Sequence, residues 1–206
     1  MTAASTDGPQ SGSLTKGDRA RRRILDAAAA EVARHGRAGA SLTAIATAAG
    51  LKPGSVYFHF ASREQLIDAM LEEGLRESLA RLDRAIAEVT DPARPLDPRA
   101  RLRAAIRAHL DALQDLHDYA VVVLAAVHVE GPPAAQFRAL RRSYVRQWSE
   151  LIEDAQRAGV VAPGPAARTV RDLLVGALNY AGLSGHPPAE TAAAVEALIM
   201  IASVPA

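Results

Sequence analysis

The stretch Ser41-Leu-Thr-Ala-Ile-Ala-Thr-Ala-Ala-Gly50-Leu-Lys-Pro-Gly-Ser-Val-Tyr-Phe-His-Phe60 constrains this chain more than any other segment. Ser41 suits a helix cap, because its hydroxyl can accept a backbone N–H of the first turn. Leu42, Ile45, Ala46 and Ala49 then recur at helical spacing and form a stripe to be buried. Gly50 stops that helix, since glycine tolerates the left-handed backbone of a sharp turn. Pro53 fits the first position of a second helix, where a missing N–H costs nothing. Val56 and Phe60, spaced i, i+4, face inward and leave Ser55, Tyr57 and His59 outside. The pattern predicts a helix-turn-helix with a polar, aromatic face suited to nucleic acid. Phe58 and Phe60 are expected in the core.

Around this stretch the chain resembles the TetR family of one-component transcriptional regulators. The resemblance runs from about Arg19 to Leu66. It rests on Ile45-Ala46-x-x-Ala49-Gly50-Leu51, Gly54-Ser55-Val56-Tyr57-Phe58-His59-Phe60 and Ser62-Arg63-Glu64-Gln65-Leu66. An apolar-Gly-apolar pattern alone is common, whereas three such pieces in register are specific.

The remaining sequence supports an all-α chain. Of its 206 residues 49% are hydrophobic but only 4% aromatic, so alanine and leucine supply much of the core, and alanine favours helix. Residues 1 to 15 are rich in Ser, Thr, Gly and Pro and read as a disordered tail. A first helix is expected from about Lys16 to His35, with Thr15 as cap, Ile24, Leu25, Ala28 and Val32 inside, and Gly36 as stop. Ser62-x-x-Gln65 is a capping box opening a long fourth helix to about Val89. Further helices are expected at about Arg99–His117, Tyr119–Val129, Ala134–Ala158, Ala166–Leu183 and Ala189–Ser203, separated by Pro and Gly breaks. The plan is a three-helix head over 16–61 and a six-helix body over 62–206, which is also what the resemblance implies.

Charge divides the same way. Between Leu14 and Gln65 nine Lys or Arg face four Asp or Glu, a net of +5. From Leu66 onward fifteen face eighteen, a net of −3. A basic head on a mildly acidic body suits a DNA-binding module joined to something that does not bind DNA. The absence of cysteine and of a charged-then-apolar leader fits a cytoplasmic protein. The longest strongly apolar run, Tyr119 to Val129, is too short to span a membrane.

A recognition helix places its N-terminal residues against base edges in the major groove. Here these are Lys52, Pro53, Gly54, Ser55 and Tyr57. Lys52 either reads guanine or pairs with phosphate. The resemblance implies a small hydroxyl residue at that position, and lysine caps a helix poorly. Ser41, Thr43, Tyr57, His59 and Arg63 are the expected phosphate clamps, and Arg21 and Arg22 belong to a basic arm that also holds Arg19 and Arg23.

In the body, Leu173, Leu174, Ala177 and Tyr180, then Val195, Leu198, Ile199 and Ala202, form stripes too apolar for a free surface. Two such helices paired with their copies make a four-helix isologous interface, and the resemblance implies the same homodimer. Two recognition helices about 34–36 Å apart would match a palindromic operator on double-stranded DNA. The middle helices carry polar groups among apolar ones. His109, His117, His128, Tyr144, Trp148 and Asn179, with Leu113, Leu124 and Leu178, are the candidate lining of a small-molecule effector site, the region that encloses the effector in TetR-like regulators. Arg141-x-x-Tyr144-x-x-x-Trp148-x-x-Leu151 with Gly176-Ala-Leu-Asn179 resembles the branch answering to lipid-derived or acyl-CoA ligands, departing from it after Asn179. The expected function is a repressor released by a hydrophobic or acyl-type ligand. A metal-responsive or drug-responsive regulator of the same fold is the alternative.

Enzyme chemistry has no support in the motifs. No Gly-rich phosphate loop, Gly-x-Ser-x-Gly elbow or His-Glu-x-x-His pair occurs. The six histidines include no i, i+4 pair, so neither a metal site nor a cofactor is expected. A purely structural helical dimer is the remaining rival, and the basic head with its reading face argues against it.

Overall fold

The computed structural model describes residues 15–93, 95–126 and 134–200. Among them are nine helices: α1 (Lys16–Gly39), α2 (Leu42–Ala48), α3 (Pro53–His59), α4 (Arg63–Glu88), α5 (Pro98–Asp115), α6 (His117–Ala126), α7 (Ala135–Arg157), α8 (Ala167–Leu183) and α9 (Pro188–Ile199). One isolated antiparallel bridge, Val161 to Met200, is the sole extended pairing among these residues. The all-α expectation holds, and each expected helix overlaps an observed one; the expected ends at Val129 and Ser203 lie outside the described residues, and the last helix gives way to extended backbone at Met200. No helix among the described residues is long and apolar enough to cross a membrane.

Local chemistry explains the boundaries. Thr15 and Asp18 form a reciprocal capping box at the start of α1. Gly36, at φ 71°, breaks the helical backbone where the sequence places the stop, although helical bonding resumes briefly to Gly39. At the start of α4 the Gln65 N–H donates to Ser62 Oγ at 3.0 Å. The return bond is displaced by one residue, because Gln65 Oε1 accepts from the N–H of Ala61 at 2.6 Å rather than from Ser62.

Two apolar cores organise the chain, and α4 takes part in both. The first joins α1, α2 and α3 to the N-terminal half of α4 through Ile24, Ala28, Ile45, Val56, Leu66 and Met70, and continues into Tyr119 and Val122 of α6 and Phe137 of α7. The second gathers Leu82 and Ile86 of α4 with Leu102 and Ile106 of α5, Trp148 and Ile152 of α7, and Leu174, Leu178 and Val195 of α8 and α9. The first core therefore crosses the junction at residues 61–62. A polar seam reinforces the crossing: Tyr119 Oη donates to Asp26 Oδ1 at 2.8 Å, and Arg22 donates to Asp26 at 3.1 Å and to Glu73 at 2.8 Å.

Gly74 permits this close approach of α4 to α6. A Cβ there would sit 2.9 Å from Tyr119 Cδ1 and 3.0 Å from Tyr119 Cβ. The Tyr119 ring has little freedom to yield, being buried and held by Asp26. Gly74→Val is expected to cost about 1–3 kcal/mol by overpacking, lowering the thermal midpoint by roughly 3–10 °C, as scanning calorimetry would register.

Candidate nucleic-acid face and ligand cavity

Helices α2 and α3 meet at a turn that the sequence specifies closely. Ala44 N–H donates to Ser41 Oγ at 3.1 Å, confirming the cap of α2. Gly50 lies at φ 66°, and Leu51 N–H reaches back to the Ala46 carbonyl at 2.9 Å, so the helix ends in a Schellman-type turn. Pro53 opens α3, and Lys52 occupies the cap without a side-chain bond. Its ammonium, a donor with no acceptor to offer, remains exposed. Nothing lies within 4 Å of where a Gly54 Cβ would point, so the start of α3 offers nearly bare backbone.

Val56 and Phe60 anchor α3 in the first core, while Ser55 and His59 are half-buried and Tyr57 is 57% exposed. Ser41 and Thr43 are exposed on the same module. Phe58 corrects the sequence expectation, being 88% exposed rather than in the core. Two positions along a helix turn the side chain by about 200°, which carries Phe58 away from the face shared by Val56 and Phe60. Its ring meets that of His59 edge-on at 5.4 Å.

The expected basic clamps divide into two groups. Arg21 is exposed, and its guanidinium caps the Phe60 ring at 5.1 Å from the centroid. Lys16, Arg19, Arg22 and Arg23 border a shallow surface depression on α1. Arg22, expected as part of a DNA arm, is instead held in the seam with Asp26 and Glu73. Arg63 is also occupied within the protein: it donates to the carbonyls of Ala40 and Arg37, closing the C-terminal end of α1 against the start of α4. Both guanidiniums serve to position the head.

In the body, helices α4 to α8 enclose a cavity of about 280 Å³. Among the expected lining residues, His109, Leu113, Leu124, Tyr144, Trp148 and Asn179 border it. Two others do not belong to that wall, and a third is not among the described residues. His117 is exposed at the start of α6, Leu178 is buried in the second core, and His128 lies outside the described residues. Gly74 and Tyr119 also wall the cavity, as do Phe137, Arg141 and Arg171. Arg141 is exposed, whereas Arg171 bonds Ser149 and Asp172 at 2.7 Å each.

The polar end of the cavity is a single chain of hydrogen bonds. His109 Nε2 lies 3.0 Å from Asn179 Oδ1, and His109 Nδ1 meets the Tyr144 hydroxyl. A neutral imidazole donates once and accepts once. With Asn179 Oδ1 as acceptor, Nε2 carries the proton and Tyr144 donates to Nδ1. Burial pushes the His109 pKa down to about 4, only partly opposed by the Asn179 bond. Burial likewise raises the Tyr144 and Tyr119 phenols well above their ordinary value, the Tyr119 bond to Asp26 adding to it.

The expected apolar seam on α8 and α9 is divided between inside and outside. Leu173 is 71% exposed, Tyr180 73% and Leu198 84%. Ala177 is exposed and Ile199 half-buried. Leu174 and Val195, expected at the interface, are buried in the chain's own core; Leu174 is turned by about 100° from Leu173, and Val195 lies one turn before Leu198, on the same helix. Ala202 lies outside the described residues.

Two family models match the chain. Residues 24–70 match the tetR family of bacterial regulatory proteins, and residues 95–182 match the tetracyclin repressor-like C-terminal domain. A relative, the transcriptional repressor KstR2 of Mycobacterium tuberculosis, is 31% identical over 144 residues, covering 68% of each chain. Among solved structures, AibR in complex with isovaleryl coenzyme A and operator DNA is similar with a TM-score of 0.74 at 19% identity, covering 87% of this chain and 97% of that one. FadR from Bacillus subtilis in complex with stearoyl-CoA is similar with a TM-score of 0.69 at 18% identity, covering 86% and 96%.

Neutral, buried His109 gives stability a defined pH dependence. Its folded pKa lies below the ordinary value of 6.5, so the unfolded chain takes up a proton first as pH falls, and the contribution present above about 6.5 is lost toward about 4. Urea unfolding at about pH 7 and about pH 5 is expected to show a larger loss for the native chain than for His109→Gln.

Proposed function

This chain belongs to the tetR family of bacterial regulatory proteins, and we propose that it is a homodimeric repressor whose hold on a palindromic operator is released by an acyl-type ligand. The division of labour follows the sequence: residues 16–61 read DNA, and 62–206 bind ligand and pair. On the reading face, Lys52, Pro53, Gly54, Ser55 and Tyr57 meet base edges or the phosphates beside them, and Ser41, Thr43 and His59 contact backbone. Phe58 joins them as an exposed apolar surface suited to sugar or a thymine methyl. Arg21 and Arg23 supply nearby positive charge.

The observation that carries the reading is the seam between cavity and head. Tyr119 walls the cavity and donates to Asp26 on α1. A ligand can shift an equilibrium only by binding two states differently. One that displaces Tyr119 has no slack against Gly74, so its push passes into α1 and α4 and changes the placement of α3. A coupling of about 1–3 kcal/mol per ligand is typical of such devices. An apolar cavity with an exposed Arg141 on its wall suits an acyl chain with an anionic carrier, as do the isovaleryl coenzyme A and stearoyl-CoA bound by the two similar structures.

Tyr57→Ala is expected to weaken operator binding by about tenfold or more at fixed salt, the size of a lost good contact, with the thermal midpoint unchanged because the side chain is exposed. Gel shifts on duplexes selected by the native chain, with and without added acyl-CoA of graded length, test both halves of the reading. Tightening of the complex by every acyl-CoA would contradict release. For the pairing surface, the double substitution Leu173→Glu with Leu198→Glu is expected to give a folded monomer in sedimentation, where the native chain gives a dimer.

A further inference from the structure

The polar end of the cavity is built of donors. Trp148 is 0% exposed and lines the cavity, yet its indole N–H has no acceptor in the protein. The Tyr144 hydroxyl lies close enough for the indole N–H to favour its ionised form slightly, but the two do not meet in the geometry of an ordinary hydrogen bond. Leaving such a donor unmet costs about 1–3 kcal/mol, so its retention in a wall that could have been apolar asks for a partner. Asn179 adds a second donor. Its Oδ1 is taken by His109, its amide nitrogen makes no bond among the described residues, and the residue borders the cavity. Both groups converge on one ring: Asn179 bonds His109 directly, and the Trp148 ring stands edge-on to it at 5.8 Å.

We propose that the effector presents to this end of the cavity an uncharged carbonyl group on a short apolar chain, whose oxygen is received by the Trp148 indole N–H and the Asn179 amide. This rests on the cavity being the effector site. Cations are absent from that end. His109 is neutral and already uses its single N–H on Asn179. Arg171 is engaged by Asp172 and Ser149. Arg141 lies seven residues before Trp148 on α7, about 10 Å along the helix axis. A carboxylate there would lose its hydration without a counter-ion, whereas a carbonyl oxygen has two lone pairs for two donors. An ammonium has no lone pair to offer a donor wall, and a hydroxyl that accepts from it brings a further donor of its own. The shared chemistry is therefore that of an ester, thioester, ketone or amide oxygen, and the cavity of about 280 Å³ limits the apolar part to a short chain.

Trp148 is the only tryptophan of the chain, so its emission reports on the site directly. Methyl hexanoate, heptane and hexanoate are titrated into the full-length protein in sealed cuvettes. The ester is expected to bind at least about tenfold tighter than either of the others, and to shift Trp148 emission to longer wavelength where heptane does not. Asn179→Asp keeps the oxygen that His109 needs but replaces the amide donors with an acceptor. In that variant the ester is expected to lose about tenfold in affinity while heptane binding is unchanged. Equal binding of ester and heptane by the native chain overturns the donor assignment and leaves the cavity as an effector site. Tightest binding by hexanoate overturns it too, and moves recognition to Arg141. If no probe binds and an apolar dye is not retained either, the cavity itself is not the effector site and the inference falls with it. The native ranking decides the matter even if the variant fails to fold.

Discussion

The twenty-six residues of α4 belong to two cores at once. Leu66, Ile67, Met70 and Leu71 are locked among α1, α2 and α3, and Leu82 and Ile86 are locked among α5, α7 and α8. A helix of this length spans about 39 Å, and its buried ends cannot move independently without breaking apolar contact on one side. Packed interiors resist continuous deformation and favour discrete rearrangement. The head is thus carried by α4 as part of the body's packing.

The seam at α6 complements that strut. Gly74 brings α6 against α4, and Tyr119 spans the gap between the cavity and Asp26 on α1. Burial keeps its phenol protonated, so the donor role toward the carboxylate is preserved at ordinary pH. Arg22 neutralises the same carboxylate while holding Glu73 of α4. The network is only part-buried, and the buried Tyr119 is the member that ties it to the cavity wall.

The cavity itself has an inner logic of protonation. Because His109 is neutral, its two nitrogens have opposite roles, and the hydrogen-bond direction from Tyr144 through His109 to Asn179 follows. That direction consumes the Asn179 acceptor and leaves its donors, beside the unmet indole of Trp148. The chemical character of the pocket thus depends on the burial of one imidazole.

Helices, caps and the reading turn are all written in the linear order of residues. Ser41, Gly50 and Pro53 act on backbone within a few residues of themselves, and such local effects are visible in a linear string. The inward pair Val56 and Phe60 is legible for the same reason, whereas aromatic character suggests a core place for Phe58 that its angular position denies. Where each polar side chain ends depends instead on packing between distant segments. Arg22 and Arg63 look like DNA-facing cations in a basic segment, yet their partners Glu73, Ala40 and Arg37 come from elements that only folding brings near. His109, Tyr144, Trp148 and Asn179 could be gathered as candidates, but His117 is indistinguishable from them in sequence and turns out exposed. Likewise Leu173 and Leu174 are adjacent and equally apolar, and one faces solvent while the other faces the core. Periodicity records that a helix has an apolar face, and the packing angle of its neighbours decides which edge of that face is covered.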